Sequence, residues 1–512
     1  MLRCTTLVLT VALLSSPALW AQEQTAPIVG YTETKEYVHA IDSDHPYQVT
    51  TNQDRSKLVM ACQIKKNKNT RIWWGDESTE AKVIVVQSTT VSPDGSRLAW
   101  IGLDKNGNKK VFVDGEEICK CGYVFYDTVI FSPDSKQYAF AISESGQRGK
   151  KDCRVVYNGE KLDKHHSIVG PPPTFSPDSK KLVYFGRDRD DWFVVVDGVK
   201  GPTFTRTGWG PSFSPDGTRM AYAGIRPEGY YLVVNDETTG PFHELHEIKF
   251  SPVGDELFYS INYGDSACVM RDGRQYGETY RETYGFDFSP DGKHFGFSAT
   301  DTNSAELMVI DSVEGHRYQD SVVSFPSFFQ DGEHYYGYVL TDTGADTRGL
   351  LIDDSLVCEI RGSCDGIDVT FPSEGFGYGV AWVIDSTSEG CIVNGHEFPP
   401  REWYSKVVFS PDGQHYAVAV GINGYDESEL ILDGVTDRTH RVVFPGQRFT
   451  PDSRALAYVA GNGIDQYVVI GETELEHFDK VYPKTIKFEE DGSLIYYGVK
   501  SREVYRVVAR PR

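Results

Sequence analysis

The segment FSPDGTRMAY (213–222) decides how this chain folds. Ser-Pro-Asp-Gly is a type I turn in which Pro215 fixes φ at the second position and Asp216 caps through its side chain. Gly217 supplies the positive φ that closes a bulged hairpin. Six further segments repeat the pattern: VSPDGSRLAW (91–100), FSPDSKQYAF (131–140), FSPDSKKLVY (175–184), FSPDGKHFGF (288–297), FSPDGQHYAV (409–418) and FTPDSRALAY (449–458). Ser135, Ser179 and Ser453 replace the turn glycine, which predicts a modest conformational cost at each. After each turn, alternation such as Arg97-Leu98-Ala99-Trp100 reads as a strand.

Weaker copies fill the gaps: NQDRSKLVMA from Asn52, FSPVGDELFY from Phe250, FFQDGEHYYG from Phe328, FPSEGFGYGV from Phe371 and FEEDGSLIYY from Phe488. The turn aspartate or its equivalent then falls near 54, 94, 134, 178, 216, 253, 291, 331, 374, 412, 452 and 491. The mean spacing is about 40 residues, the size of one propeller blade. Each copy also carries a second hairpin cue, as in VFVDGEE (111–117), VVYNGEK (155–161), VVVDGVK (194–200) and LILDGVT (430–436). Asp-Gly and Asn-Gly between β-branched residues are strong short hairpin signals. Each repeat therefore supplies four short antiparallel strands, A to D from the axis outwards. The predicted fold class is all-β, a β-propeller of about twelve four-stranded antiparallel blades.

These repeats resemble those of TolB-like and prolyl-oligopeptidase-type propellers, relatives of the WD repeats, over nearly all of the chain after residue 21. The resemblance implies a fold and hardly a function. It also departs from both families: there is no G-x-S-x-G elbow for an α/β-hydrolase domain, and no room for an α/β domain ahead of the repeats. No catalytic residue carries over.

A ring of twelve blades exceeds the usual four to eight, so the favoured division is two consecutive six-bladed rings. That assigns 22–320 to blades one to six and 321–512 to blades seven to twelve, with seven-plus-five or one large ring as alternatives. The last copy is one outer strand short, and the segment from Ile28 to Thr50 has spare strand-like sequence to complete it.

Composition narrows the function. The 512 residues are 39% hydrophobic, 13% aromatic and 24% charged, with a net charge of −23. That is a folded chain, because disordered segments lack the apolar mass to offset chain entropy. The acidic balance disfavours a nucleic-acid partner, which needs a basic footprint. Residues 1–21 read as a secretory signal peptide: Met1-Leu2-Arg3, an apolar run from Thr5 to Leu14, and Ala21 ahead of Gln22. The run is too short for a transmembrane span, and no later stretch approaches one. The expected location is periplasmic or secreted.

Eight cysteines follow the leader, and 105 pairings are open to them. Cys358 and Cys364, flanking a Gly-Ser turn, are the favoured disulfide; Cys119 and Cys121 share one face of a strand, and buried free thiols account for most of the rest. No metal site and no cofactor is expected. His243-Glu244-Leu245-His246-Glu247 reads as an outer strand with surface histidines, and His294, His334 and His415 recur at one repeat position, which signals blade construction. Gly362-Ser363-Cys364-Asp365-Gly366 resembles a nucleophile turn but lacks a following helix, so a hairpin is expected.

Two patterns point to binding. The B–C loops of the first three copies hold Lys65, Lys66, Lys68, Lys105, Lys109, Lys110, Arg148, Lys150 and Lys151, a basic sector on an acidic protein. Such a sector suits an envelope protein or an anionic glycan. Aromatics near the D–A loops, Tyr123, Phe125, Tyr126, Trp209, Tyr280, Tyr284, Trp403 and Tyr404, are placed to stack on sugars or anchor a peptide. The bland readings are ordinary charged hairpin tips and inter-blade packing. The favoured function is a non-catalytic exported binding scaffold. The competing class is a polysaccharide lyase or glycoside hydrolase on the same scaffold, which needs two carboxylates converging on one channel mouth.

Overall fold

The computed structural model describes residues 31–40, 48–51, 58–63, 70–74, 77–81, 83, 85–145, 152–319, 321–342, 347–361, 368–373, 377–385, 387–423, 427–437 and 440–511. Residues 1–21, the expected leader, lie outside them, as does the Gly362–Gly366 stretch with Cys364. Among the described residues no helix is long and apolar enough to cross a membrane. The described residues form twelve antiparallel sheets. They span 48–81, 85–121, 123–161, 167–204, 206–242, 244–280, 282–314, 327–361, 368–401, 403–437, 443–474 and 480–511. Among the described residues seven of these sheets end before residue 320 and five follow it.

Strand order within each sheet follows chain order, and in four sheets the first strand is split in two. The last strands are exposed, as in Glu237–Phe242 and Arg274–Tyr280, which identifies them as the outer edge. The twelfth sheet receives its outermost strand from the other end of the chain. Tyr31–Ala40 pairs antiparallel with Glu503–Pro511, Tyr31 opposite Pro511. Lys35 ion-pairs with Glu476 at 2.6 Å, and Glu33 accepts a hydrogen bond from the buried Tyr496 hydroxyl at 2.8 Å.

One sheet cannot bury both of its faces, so the core lies between sheets. Apolar clusters bridge every consecutive pair, from Ile72 and Trp100 between the first two to Val468 and Tyr496 between the last two. Phe258, Phe286, Phe295 and Phe297 interlock between the sixth and seventh. Deleting one such ring costs about 3–5 kcal/mol. Among the described residues the seventh and eighth sheets share the smallest of these clusters, Met308, Val323, Val339 and Leu351.

The repeated turn is locked as its chemistry requires. In the second sheet Ser92 Oγ donates to Asp94 Oδ1 at 2.7 Å, and the Ser96 amide donates to the same oxygen. These bonds hold the turn carboxylates below their usual range, with Ser132 first at Asp134 and Ser214 first at Asp216. The serines that replace glycine have a role of their own. Ser135, Ser179 and Ser453 adopt φ of 64°, 62° and 62°, and their hydroxyls accept the amides of Asp94, Asp134 and Asp412 in the preceding sheet. At Gly217 the preceding sheet leaves no room: a Cβ there would lie 2.6 Å from Asp178 Oδ1.

The hairpin Asp or Asn ties strands C and B together. Asp114, Asn158, Asp197, Asn235 and Asp433 each accept the amide that opens strand B. His334 and His415 pair with the second oxygen of Asp353 and Asp433, and those hydrogen bonds raise both imidazole pKa values. His294 makes the same pairing with Asp311, so the recurrence of histidine is blade construction. Cys358 is a free thiol, which corrects the expected disulfide with Cys364; burial pushes its pKa to about 11. Cys119, Cys121, Cys268 and Cys391 are also free thiols.

Candidate functional site

The inner edge of the sheets is irregular, and the irregularities set the functional geometry. Register shifts interrupt the first strand at Val86/Ser88, Val169/Thr174, His246/Ile248, Tyr284/Phe286 and Phe444/Arg448. An extra residue in one strand bends it and re-aims a side chain. His243-Glu244-Leu245-His246-Glu247 belongs to this inner edge: Glu244–Phe250 is the first strand of its sheet, not an outer one. His246 pairs with Glu244 at 3.2 Å, and the Glu247 carboxylate accepts the Phe286 amide at 2.6 Å. Among the described residues no cluster of histidine, cysteine and carboxylate has metal-binding geometry.

Trp209 occupies the break between two halves of an inner strand, Arg206–Thr207 and Ser212–Phe213. Its carbonyl accepts the Ala223 amide at 2.8 Å, and the Gly208 amide donates to the Ala223 carbonyl at 2.9 Å. The glycines beside it permit that approach. A Cβ on Gly210, at φ +99°, would lie 2.8 Å from the Ala221 carbonyl oxygen. The main chain is therefore fastened while the indole stays 48% exposed.

A second exposed group stands where the seventh and eighth sheets meet. Tyr284 is 42% exposed, and its hydroxyl lies 3.2 Å from Thr300 Oγ1. The next residue is Gly285, where a Cβ would come within 2.5 Å of the Phe325 ring. Phe325 thus lies flat against the backbone beside Tyr284 and keeps 48% of its surface exposed. Sequence reasoning named Tyr284 but missed Phe325. No local pattern marks it, because its position depends on a glycine some 40 residues earlier in another sheet.

The other expected aromatics pack. Tyr404 is buried, donates to the Pro399 carbonyl at 2.6 Å and has its amide held by Glu389. Trp403 is partly buried against Gly421 and the cluster between the tenth and eleventh sheets. Phe125 and Tyr280 are buried as well.

The expected basic residues divide. Lys65, Lys66, Lys68, Arg148, Lys150 and Lys151 lie outside the described residues. Lys105 is exposed in its B–C loop. Lys109 is buried: it ion-pairs with Asp127 of the next sheet, and its ammonium sits 4.9 Å from the Tyr123 ring centroid. Lys110 pairs with Glu117 across its hairpin, and Lys120 pairs with Asp104 at 2.9 Å. The charges of Lys109 and Lys110 are thus compensated inside the fold. Acidic loop residues are engaged likewise: Asp301 holds the Asn303 and Ala305 amides and Arg317, and Asp465 pairs with His477.

The architecture defines an all-β repeat protein of the β-propeller class, built of four-stranded antiparallel units. No family model and no curated protein matches the sequence. Among solved structures, TolB from Acinetobacter baumannii is similar at 14% identity, covering 52% of this chain and 75% of that one with a TM-score of 0.24. The crystal structure of the eukaryotic initiation factor is similar at 10% identity, covering 63% of this chain and 90% of that one with a TM-score of 0.37.

Proposed function

We propose that the protein is an exported, non-catalytic propeller that binds a protein or glycan of the cell envelope through its inner edge. The observation that carries this reading is the exposure of Trp209 in the gap of an inner strand, of Tyr284 beside a register shift, and of Phe325 packed on Gly285 next to it. Large rings left in water on a rigid scaffold are the usual anchors of a binding surface. Their fixed backbone lowers the ordering cost of association. Export is supported by the apolar leader alone. We further propose that the sheets divide near residue 320, where the shared cluster is smallest.

The test is a glycan array and an envelope pull-down with the chain from Gln22 onwards, compared with Trp209→Ala and with Tyr284→Ala/Phe325→Ala. Each loss of a stacking ring is expected to weaken binding roughly tenfold, since about 1.4 kcal/mol is a factor of ten. Undiminished capture by both variants would overturn the reading.

A further inference from the structure

Cys119 and Cys121 stand on Glu116–Cys121, the outermost strand of the second sheet. Residues two apart on a strand project from one face, and these lie opposite Val111 and Lys109. Both thiols face the third sheet, Cys121 within the shared cluster and Cys119 at its margin. The two thiols are neighbours on that face, each acting on the other's ionisation. Their surroundings are unequal. Cys121 is 4% exposed, whereas Cys119 is only partly buried, with Lys161 of the third sheet's outer strand and the carboxylates Glu117 and Glu144 acting on it. The Cys121 thiol lowers the Cys119 pKa, and Cys119, together with burial, raises that of Cys121.

We propose that Cys119 and Cys121 form a thiol–disulfide exchange centre in which Cys119 attacks and Cys121 resolves. The partner is a disulfide, R–S–S–R, of a small thiol or of another protein. The Cys119 thiolate attacks one sulfur, the S–S bond breaks, and the second sulfur leaves as the thiolate R–S⁻ and takes up a proton. Cys121 then loses its proton and attacks Cys119, forming the intramolecular disulfide and expelling the second R–S⁻. Two thiols of the protein are oxidised and one external disulfide is reduced, so electrons and protons balance. The asymmetry is what such a centre needs: an accessible thiolate to start and a shielded thiol beside it to finish.

The sequence supplies a direct readout, because Lys120 lies between the two cysteines. The folded protein is treated with oxidised glutathione, quenched in acid, denatured, blocked with N-ethylmaleimide and digested with trypsin. Peptides 111–120 and 121–136 are expected to travel as one species, lighter by two hydrogens than their sum, and to separate on reduction. In Cys121→Ser the glutathione adduct is expected to persist on Cys119. In Cys119→Ser adduct formation in this strand is expected to fall roughly tenfold, since the remaining thiol is shielded. Separately blocked peptides from the folded wild type at every glutathione concentration would overturn the proposal. So would modification of Cys119 no faster than that of the buried Cys268.

Discussion

The junctions between sheets and the inner edge of the same sheets treat their side chains in opposite ways. At the junctions, polar groups are held by the neighbouring repeat: Ser179 by Asp134, Lys109 by Asp127, Glu247 by Phe286. Along the inner edge, Trp209, Tyr284 and Phe325 are positioned by bonded backbone and glycine gaps, and their rings stay open to water. The difference teaches which residues carry the fold and which are free for something else. Charge and aromaticity alone do not distinguish them.

Reversing charge at a junction should break the contrast most severely. Lys109→Glu places a carboxylate beside Asp127 and over the Tyr123 ring, and the expected loss is about 3 kcal/mol in urea unfolding. Lys105→Glu, on an exposed loop, should leave the midpoint unchanged; equal effects from the two would refute the distinction. A smaller effect is expected at Ser179. Ser179→Ala removes the bond to the Asp134 amide and keeps the left-handed backbone, at a cost of about 1–2 kcal/mol. Ser179→Gly should be nearly neutral, because relief of the positive φ offsets the lost bond.

His415 sharpens the comparison through pH. Its hydrogen bond to Asp433 raises its folded pKa, so its contribution is complete below the ordinary histidine value and fades as pH rises through the folded one. The stability gap between wild type and His415→Gln should therefore shrink from mildly acidic to alkaline pH. A gap that widens would reverse the assignment. The smallest stability effect is expected at the inner edge, where Trp209→Ala should change unfolding by no more than about 0.5 kcal/mol while binding falls.

The fold was legible because its determinants are local. Ser-Pro-Asp-Gly and Val-Asp-Gly each encode a turn within four residues, and a dozen copies leave little freedom about the strands between. What lay between repeats was not legible. The turn serines looked like a cost at 135, 179 and 453, yet each bonds to the preceding sheet. Lys109 and Lys110 looked displayed, yet their carboxylates, Asp127 and Glu117, approach only once strands pair. The His243–Glu247 stretch was placed on an outer strand because the outer hairpin strand before it ends only at Phe242. The inner aromatics were half legible: the residue type was right, but exposure depended on Gly210 and Gly285 fitting against other strands.

The pairing of Tyr31–Ala40 with Glu503–Pro511 has a topological meaning. Tyr31 faces Pro511 across the ladder, so a short turn from one to the other would convert two chain segments into an ordinary hairpin. New ends opened at the exposed Lys105 loop would then leave every sheet intact. Such a permuted chain should fold to the same structure, but the order in which its sheets are synthesised would change. Lys109–Val113 would then be made first and its partner Leu98–Leu103 last, so the long-range closure moves from the twelfth sheet to the second.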